Sequence, residues 1–352
     1  MNFIVTLIIF ALVLSLIIFI HEFGHFIAAK NSGVYVDEFS LGMGPIIYQF
    51  KPKKSETTYS LRALPIGGFV SMAEKYDKNN KIKKDRVLEN KGFLRNLWVF
   101  INGILFNFIL AIILFFISGL IYGRPVNEAI INSVTEGEAA YKAGLEAGDK
   151  ILEIDGNKIN TLDDFVLEVS AKKFRDKYTF EVLKENGKVE TYEVTPRLVK
   201  EEETEKRVFG MTMSAGTYKK GFVEAIKYGF VGFYDNFTTI FKILGSLITG
   251  EVGADNLSGP VGIYSVIDTA KSQGLETIIY LTAYLSINVG IINLIPIPVF
   301  DGGRILILFI EKLTKKKCNE KAEMIINFVG FGLMILLMIY VTFNDIIRLV
   351  VN

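Results

Sequence analysis

The chain has 352 residues, enough for two or more domains, and half of it is apolar although 22% is charged. Its net charge of +1 gives no global field that points to nucleic acid. The single cysteine, Cys318, excludes an internal disulfide and any cysteine-based zinc cluster, so a metal here needs nitrogen and oxygen ligands.

Residues 1–30 read as a first transmembrane helix, because residues 3–29 are apolar apart from "HEFGH" at 21–25. A hydrocarbon core of ~30 Å takes about 20 such residues. The run has no basic leader and is followed by His-Glu instead of a small-residue cleavage site, so it is expected to be retained. His21 and His25 are the chain's only histidines. On a helix they lie one turn apart on the same face and offer two tetrahedral positions to one Zn²⁺. Glu22, about 100° around the helix, falls beside the open coordination position, where a general base belongs. The bland alternative is a chance match. It is weakened by the cost of an ionised carboxylate at membrane depth, ~2.5–3.5 kcal/mol on the gentlest scale.

Residues 31–96 form a Lys/Arg-rich loop whose middle alternates in strand fashion around Pro52-Lys53-Lys54 and Gly67-Gly68, the pattern of a small β-hairpin sheet. Residues 97–123 are a second span. Residues 124–215 read as a soluble α/β domain, with short strands such as "KILEID", "YTFEVL" and "VETYEV" and turns at Asp155-Gly156 and Asn186-Gly187. Residues 216–276 hold an amphipathic helix and a connector. In the helix Phe222, Ile226, Phe230, Phe233, Phe237, Phe241, Leu244 and Ile248 recur at helical spacing, opposite Glu224, Lys227, Asp235 and Lys242. That contrast suits a helix lying in the membrane interface.

Residues 277–303 are a third span, interrupted by Pro296 and Pro298 and ending in Asp301-Gly302-Gly303. Asp301 is the candidate third zinc ligand; the alternative is that it caps a helix beginning at Arg304. Residues 304–352 hold a loop and a fourth span. The basic loops 30–96 and 312–321 are expected in the cytoplasm, with the N-terminus and the 124–276 block outside. The fold class is therefore a polytopic α-helical membrane protein with four transmembrane helices, a small cytoplasmic-side hairpin sheet and an inserted extracytoplasmic α/β domain. With 222–249 on the surface, the third span runs outside to inside and brings Asp301 to the histidines' side; a fifth crossing would not.

The pairing of "HEFGH" with "NLIPIPVFDGG" (293–303), some 270 residues apart, resembles the site-2 protease family of intramembrane zinc metalloproteases, in its bacterial regulator-of-sigma-E protease branch. "SGPVGI" (258–263) and "FLRNLWVFINGILFN" (93–107) are similar to further family stretches, although Asn102-Gly103-Ile104 stands where Ala-Gly-Pro is usual. The resemblance implies His21, His25 and Asp301 as Zn²⁺ ligands and Glu22 as the catalytic base. Asn293 and Pro296 occupy motif positions, and Asn293, with Asn288, is expected to hold or position the substrate backbone. "EGEAAYKAGLEAGDKILEIDGNKI" (136–159) resembles a bacterial PDZ domain of unknown ligand, and 124–215 has room for one such domain.

An exposed edge strand near the zinc would hold substrate in extended form, with Gly67 and Gly68 allowing close backbone approach. The expected activity is intramembrane hydrolysis of single-span substrates, anti-sigma factors or signal-peptide remnants, in a bacterial cell membrane. The rivals are a membrane-anchored protease acting on chains outside the bilayer and an inactive PDZ-bearing scaffold.

Overall fold

The computed structural model describes residues 2–76, 82–126, 128–170, 176–184, 186–201, 204–214, 217–250 and 258–351. Lys78-Asn79-Asn80-Lys81 of the first basic loop thus lies outside the described residues. The chain divides into two units, one made of 1–118 with 225–352, the other of 119–224.

The first unit opens with α1 (Asn2–Asn31), followed by β1 (Val36–Phe50), β2 (Thr58–Met72) and α2 (Phe93–Ile121). Residues 51–57, carrying Pro52-Lys53-Lys54, make the turn between the strands, whereas Gly67 and Gly68 sit inside β2. Both strands are long and bent, and Glu38 to Leu41 have partners on both sides, at 58–61 and at 68–71. Residues 68–72 are left as an outer stretch, paired through Val36–Leu41 only. Arg62 ties the bend together, reaching Glu38 Oε1 at 2.7 Å, Ser40 Oγ at 3.0 Å and the Gly44 carbonyl at 2.9 Å. The sheet rests on α1 through Phe39, whose ring lies 5.5 Å from Phe19 and 5.0 Å from Phe26.

Helix α1 meets α2 at two glycines. A Cβ on Gly24 would lie 2.4 Å from the Asn102 carbonyl oxygen, and one on Gly103 would lie 2.3 Å from His25 Nε2. Only residues without a side chain allow this crossing.

In the second unit, β3 (Arg124–Val126), β4 (Ile130–Val134), α3 (Ala139–Ala143), β5 (Lys150–Ile154), β6 (Asn157–Lys158), α4 (Leu162–Ser170), β7 (Tyr178–Leu183), β8 (Val189–Val194), β9 (Arg197–Glu201), β10 (Thr204–Val208), β11 (Met211–Ser214) and β12 (Thr217–Lys219) follow in order. The main sheet orders β11-β4-β5-β7-β8, with β6 on β5. Alternation in β7 buries Tyr178, Phe180 and Val182, which share a core with Ile151, Ile154, Phe165 and Phe209. Gly144 ends α3 in the left-handed conformation, at φ 91°.

The remaining helices of the first unit are α5 (Phe222–Thr249), α6 (Pro260–Gln273), α7 (Leu275–Leu294), α8 (Asp301–Thr314) and α9 (Glu320–Val351). Among the described residues, four helices are long and apolar enough to cross a membrane: Phe3–Asn31, Phe93–Ile121, Leu275–Leu294 and Lys321–Arg348. Helix α5 is not among these four.

The face that α5 buries overlaps its aromatic stripe only in part, through Phe233, Phe237 and Leu244. Ala225, Tyr228, Gly229, Gly232 and Ile240 are buried, whereas Phe222, Ile226, Phe230 and Phe241 are exposed. Gly229 faces Ile112, Gly232 faces Phe115, and Phe233 lies 5.4 Å from Phe108, so α5 follows α2 in reverse direction. Tyr280 of α7 donates to Asn236 Oδ1 at 2.9 Å. Helix α6, packed on α1, stands where the sequence suggested only a connector, and α8 occupies the place of the helix that the alternative reading began at Arg304.

Candidate metal centre

His21 and His25 leave α1 on one face, and their imidazoles meet edge to face with centroids 4.7 Å apart. Their Nε2 atoms are 3.1 Å apart. The third donor comes from the break after α7. The helix stops at Leu294, residues 295–300 are non-helical, and α8 begins at Asp301. Asp301 Oδ2 lies 3.1 Å from His21 Nε2 and 3.2 Å from His25 Nε2. Its carboxylate does not cap α8, whose cap position is Phe300 with no side-chain hydrogen bond.

The break is tightly folded. A Cβ on Gly302 would lie 2.3 Å from the Leu294 carbonyl oxygen, and one on Gly303 2.4 Å from that of Ile297. Val299 is held at φ 88°, a region a β-branched residue rarely enters, two residues before the carboxylate.

The donor set fits zinc. Bonds of ~2.0–2.1 Å in a tetrahedron separate ligand atoms by about 3.3 Å, close to the three observed separations of 3.1, 3.1 and 3.2 Å. Asp301 Oδ2 is buried without a hydrogen-bond partner, an acceptor left facing two ring nitrogens. Three lone pairs converging on one point are what a divalent cation satisfies. Lys30, the first cation after the histidines, is turned away, to Glu56 Oε1 at 3.3 Å and Thr57 Oγ1 at 3.2 Å. The ring of His25 is oriented by Nδ1, 2.8 Å from the Val99 carbonyl.

Glu22 is half-buried on the neighbouring face of α1, with its carboxylate towards the Val70 backbone amide. A Cβ on Gly68 would lie 2.7 Å from the Ser40 carbonyl oxygen and 3.9 Å from Glu22 Cγ, so the outer stretch of β2 passes directly by this carboxylate. Gly67, at φ 88°, faces Met43. Asn288 and Asn293 donate to carbonyls of their own helix, those of Tyr284 at 3.1 Å and Val289 at 2.9 Å, and Pro296 lies in the break.

Two residues at the centre carry no role in the sequence reading, Gly103 and Asn107 on α2. Asn107 Nδ2 is 3.3 Å from His21 Nδ1, and the Asn107 carbonyl accepts from Ser286 Oγ at 2.9 Å. The available signal was a pair of polar amides bracketing a glycine in the apolar run "INGILFN".

Known proteins match this chain along its length. The profile of peptidase family M50 matches residues 9–337. The chain is 33% identical to the regulator of sigma-W protease RasP of Bacillus subtilis over 425 aligned positions, covering 99% of each chain. It is 31% identical to the zinc metalloprotease RasP of Bacillus licheniformis, over 98% of this chain and 99% of the other. A protein of Clostridium acetobutylicum is 33% identical over 337 positions and 96% of each chain. With a histidine pair, a carboxylate and an acid beside them on apolar helices, and with this match over nearly the whole chain, the protein belongs to peptidase family M50, the site-2 type of zinc metalloprotease.

Proposed function

We propose that the protein hydrolyses peptide bonds of single-span membrane substrates at the depth of the bilayer, with His21, His25 and Asp301 holding Zn²⁺ and Glu22 as general base. The observation that carries this reading is the three-donor cluster with Glu22 beside it, on a helix whose window of 18 residues has a mean hydropathy of 3.3. Zinc, when bound, supplies a Lewis acid that polarises the scissile carbonyl and lowers the pKa of attacking water towards ~7. The Glu22 carboxylate takes a proton as the water oxygen attacks the carbonyl carbon. It returns that proton to the amide nitrogen as the C–N bond breaks. The carboxylate stands beside the outer stretch of β2, where Gly68 leaves room for Glu22 Cγ.

A transmembrane helix hides its peptide bonds, so cleavage requires a locally extended segment. Residues 68–72 have one side unpaired within this sheet, and addition of a substrate strand there would run it past Glu22. Asn288 and Asn293 would exchange their intrahelical bonds for bonds to the substrate backbone, and Pro296 would keep the break open beside them. Proline scanning through 59–70 is expected to lower turnover with zinc content unchanged; unchanged turnover refutes strand addition.

The Lys/Arg-rich loops support a cytoplasmic position for the histidine end of α1. The second unit is a single PDZ-type domain outside, supported by the α3–Gly144–β5 sequence and by the strand order. Substrates of the anti-sigma-factor or signal-peptide-remnant class follow from the family resemblance, as does a bacterial cell membrane location.

The deciding experiment uses wild type and Glu22→Gln purified in detergent, with bound zinc measured and single-span peptides and unfolded soluble chains offered as substrates. Zinc in both, with single-span cleavage falling by at least ~10²-fold in the variant, is expected. Cleavage of soluble chains alone would transfer the function outside the bilayer. Zinc without cleavage by wild type would make the chain a scaffold, and absence of zinc from both would end the metalloprotease mechanism.

A further inference from the structure

We infer that Asn107 orients His21 for the metal, by presenting its side-chain oxygen to Nδ1. The inference rests on the zinc reading above and adds a positioning residue to it. A histidine that binds metal through Nε2 carries its proton on Nδ1, and that proton needs an acceptor. For His25 the acceptor is the Val99 carbonyl, 2.8 Å away. For His21 the facing group is the amide of Asn107, with Nδ2 at 3.3 Å.

An amine at that position forces the wrong tautomer. Nδ1 would accept, and the proton would sit on Nε2, aimed at His25 Nε2 and Asp301 Oδ2. In the same orientation Asn107 Oδ1 is buried with no hydrogen-bond partner. The two ends of an amide are alike in shape, and their assignment follows the hydrogen-bond network. Turning the amide by 180° changes no volume and gives His21 Nδ1–H its acceptor. Four other asparagines, Asn102, Asn236, Asn288 and Asn293, donate Nδ2 to the carbonyl four residues back. For Asn107 that carbonyl is Gly103's, the natural destination of the turned amine.

The residue is held firmly enough for this task. It is fully buried, and its backbone carbonyl accepts from Ser286 Oγ, so it joins α1, α2 and α7 at one point.

The test measures zinc affinity of the full chain in detergent by chelator competition, with thermal stability of the metal-free protein followed in parallel. Asn107→Leu, which keeps the volume and removes the acceptor, is expected to weaken zinc binding by about 10–100-fold. Asn107→Asp, which keeps an oxygen facing Nδ1, is expected to stay within about threefold of wild type, in the range of carboxylate–histidine–zinc pairs. A packing role alone would lower the stability of the metal-free protein and not separate the two variants in zinc affinity. Asn107→Ala removes the amide without adding bulk and decides the matter if the leucine variant misfolds. Leu or Ala variants that hold zinc like wild type overturn the inference, as does an Asp variant as weak as they are. A wild-type chain without zinc would remove the metal centre and this inference with it.

Discussion

Replacing Gly103 by alanine should remove the metal without unfolding the protein. The added Cβ would lie 2.3 Å from His25 Nε2, 2.6 Å from its Cε1 and 2.8 Å from His21 Cε1. Comfortable contact begins near ~3.4 Å, so the His25 ring would have to withdraw by about 1 Å. Metal–ligand distances tolerate about 0.2 Å, and a donor displaced fivefold further is lost to the tetrahedron. Widening the gap between α1 and α2 would instead open the Gly24–Asn102 contact and forfeit its packing. The expected loss of zinc affinity is at least about 100-fold, or roughly 2.8 kcal/mol. Chelator competition on the detergent-purified variant measures it, with Gly332→Ala as the control, because nothing lies within 4 Å of a Cβ at Gly332. A Gly103→Ala protein that keeps zinc within threefold of wild type refutes the placement of the metal between these helices.

Asp345, buried in α9, accepts the backbone amides of Gly259 and Gly262 at 2.9 and 2.8 Å and so fastens the start of α6. Asp345→Leu leaves both donors unpaired and should cost about 2–4 kcal/mol in an unfolding titration, with zinc affinity unchanged. Outside the membrane, hydrogen bonds from Arg86 hold the Glu56 carboxyl below its ordinary range, despite partial burial. Its contribution is therefore complete above that range and is lost as pH falls through the depressed value. Glu56→Gln should destabilise by up to ~1 kcal/mol at neutral pH, and the difference from wild type should vanish in acid thermal scans.

The histidine pair was legible because helical spacing alone aligns His21 with His25. Asp301 was legible because it ends a long uncharged run. Gly103 and Asn107 were not, because glycine is ordinary in a membrane helix and only the partner helix shows what a Cβ would strike. Which residues of α5 meet α2 was not legible for a related reason. The aromatic stripe from Phe222 to Phe241 shows that the helix is two-faced, yet it divides: Phe233 and Phe237 pack on Phe108, while Phe222, Phe230 and Phe241 stay exposed. Helices in lipid approach closely where small residues face a partner. Gly229 and Gly232 meet α2 in this way, Gly290 admits Phe108, and Gly24 and Gly103 bring α1 against α2. The candidate metal centre lies at that last crossing, where the backbones approach closely enough for α2 to reach the imidazoles. Its candidate donors can be named from two short motifs, but its dimensions belong to a helix pair that neither motif describes.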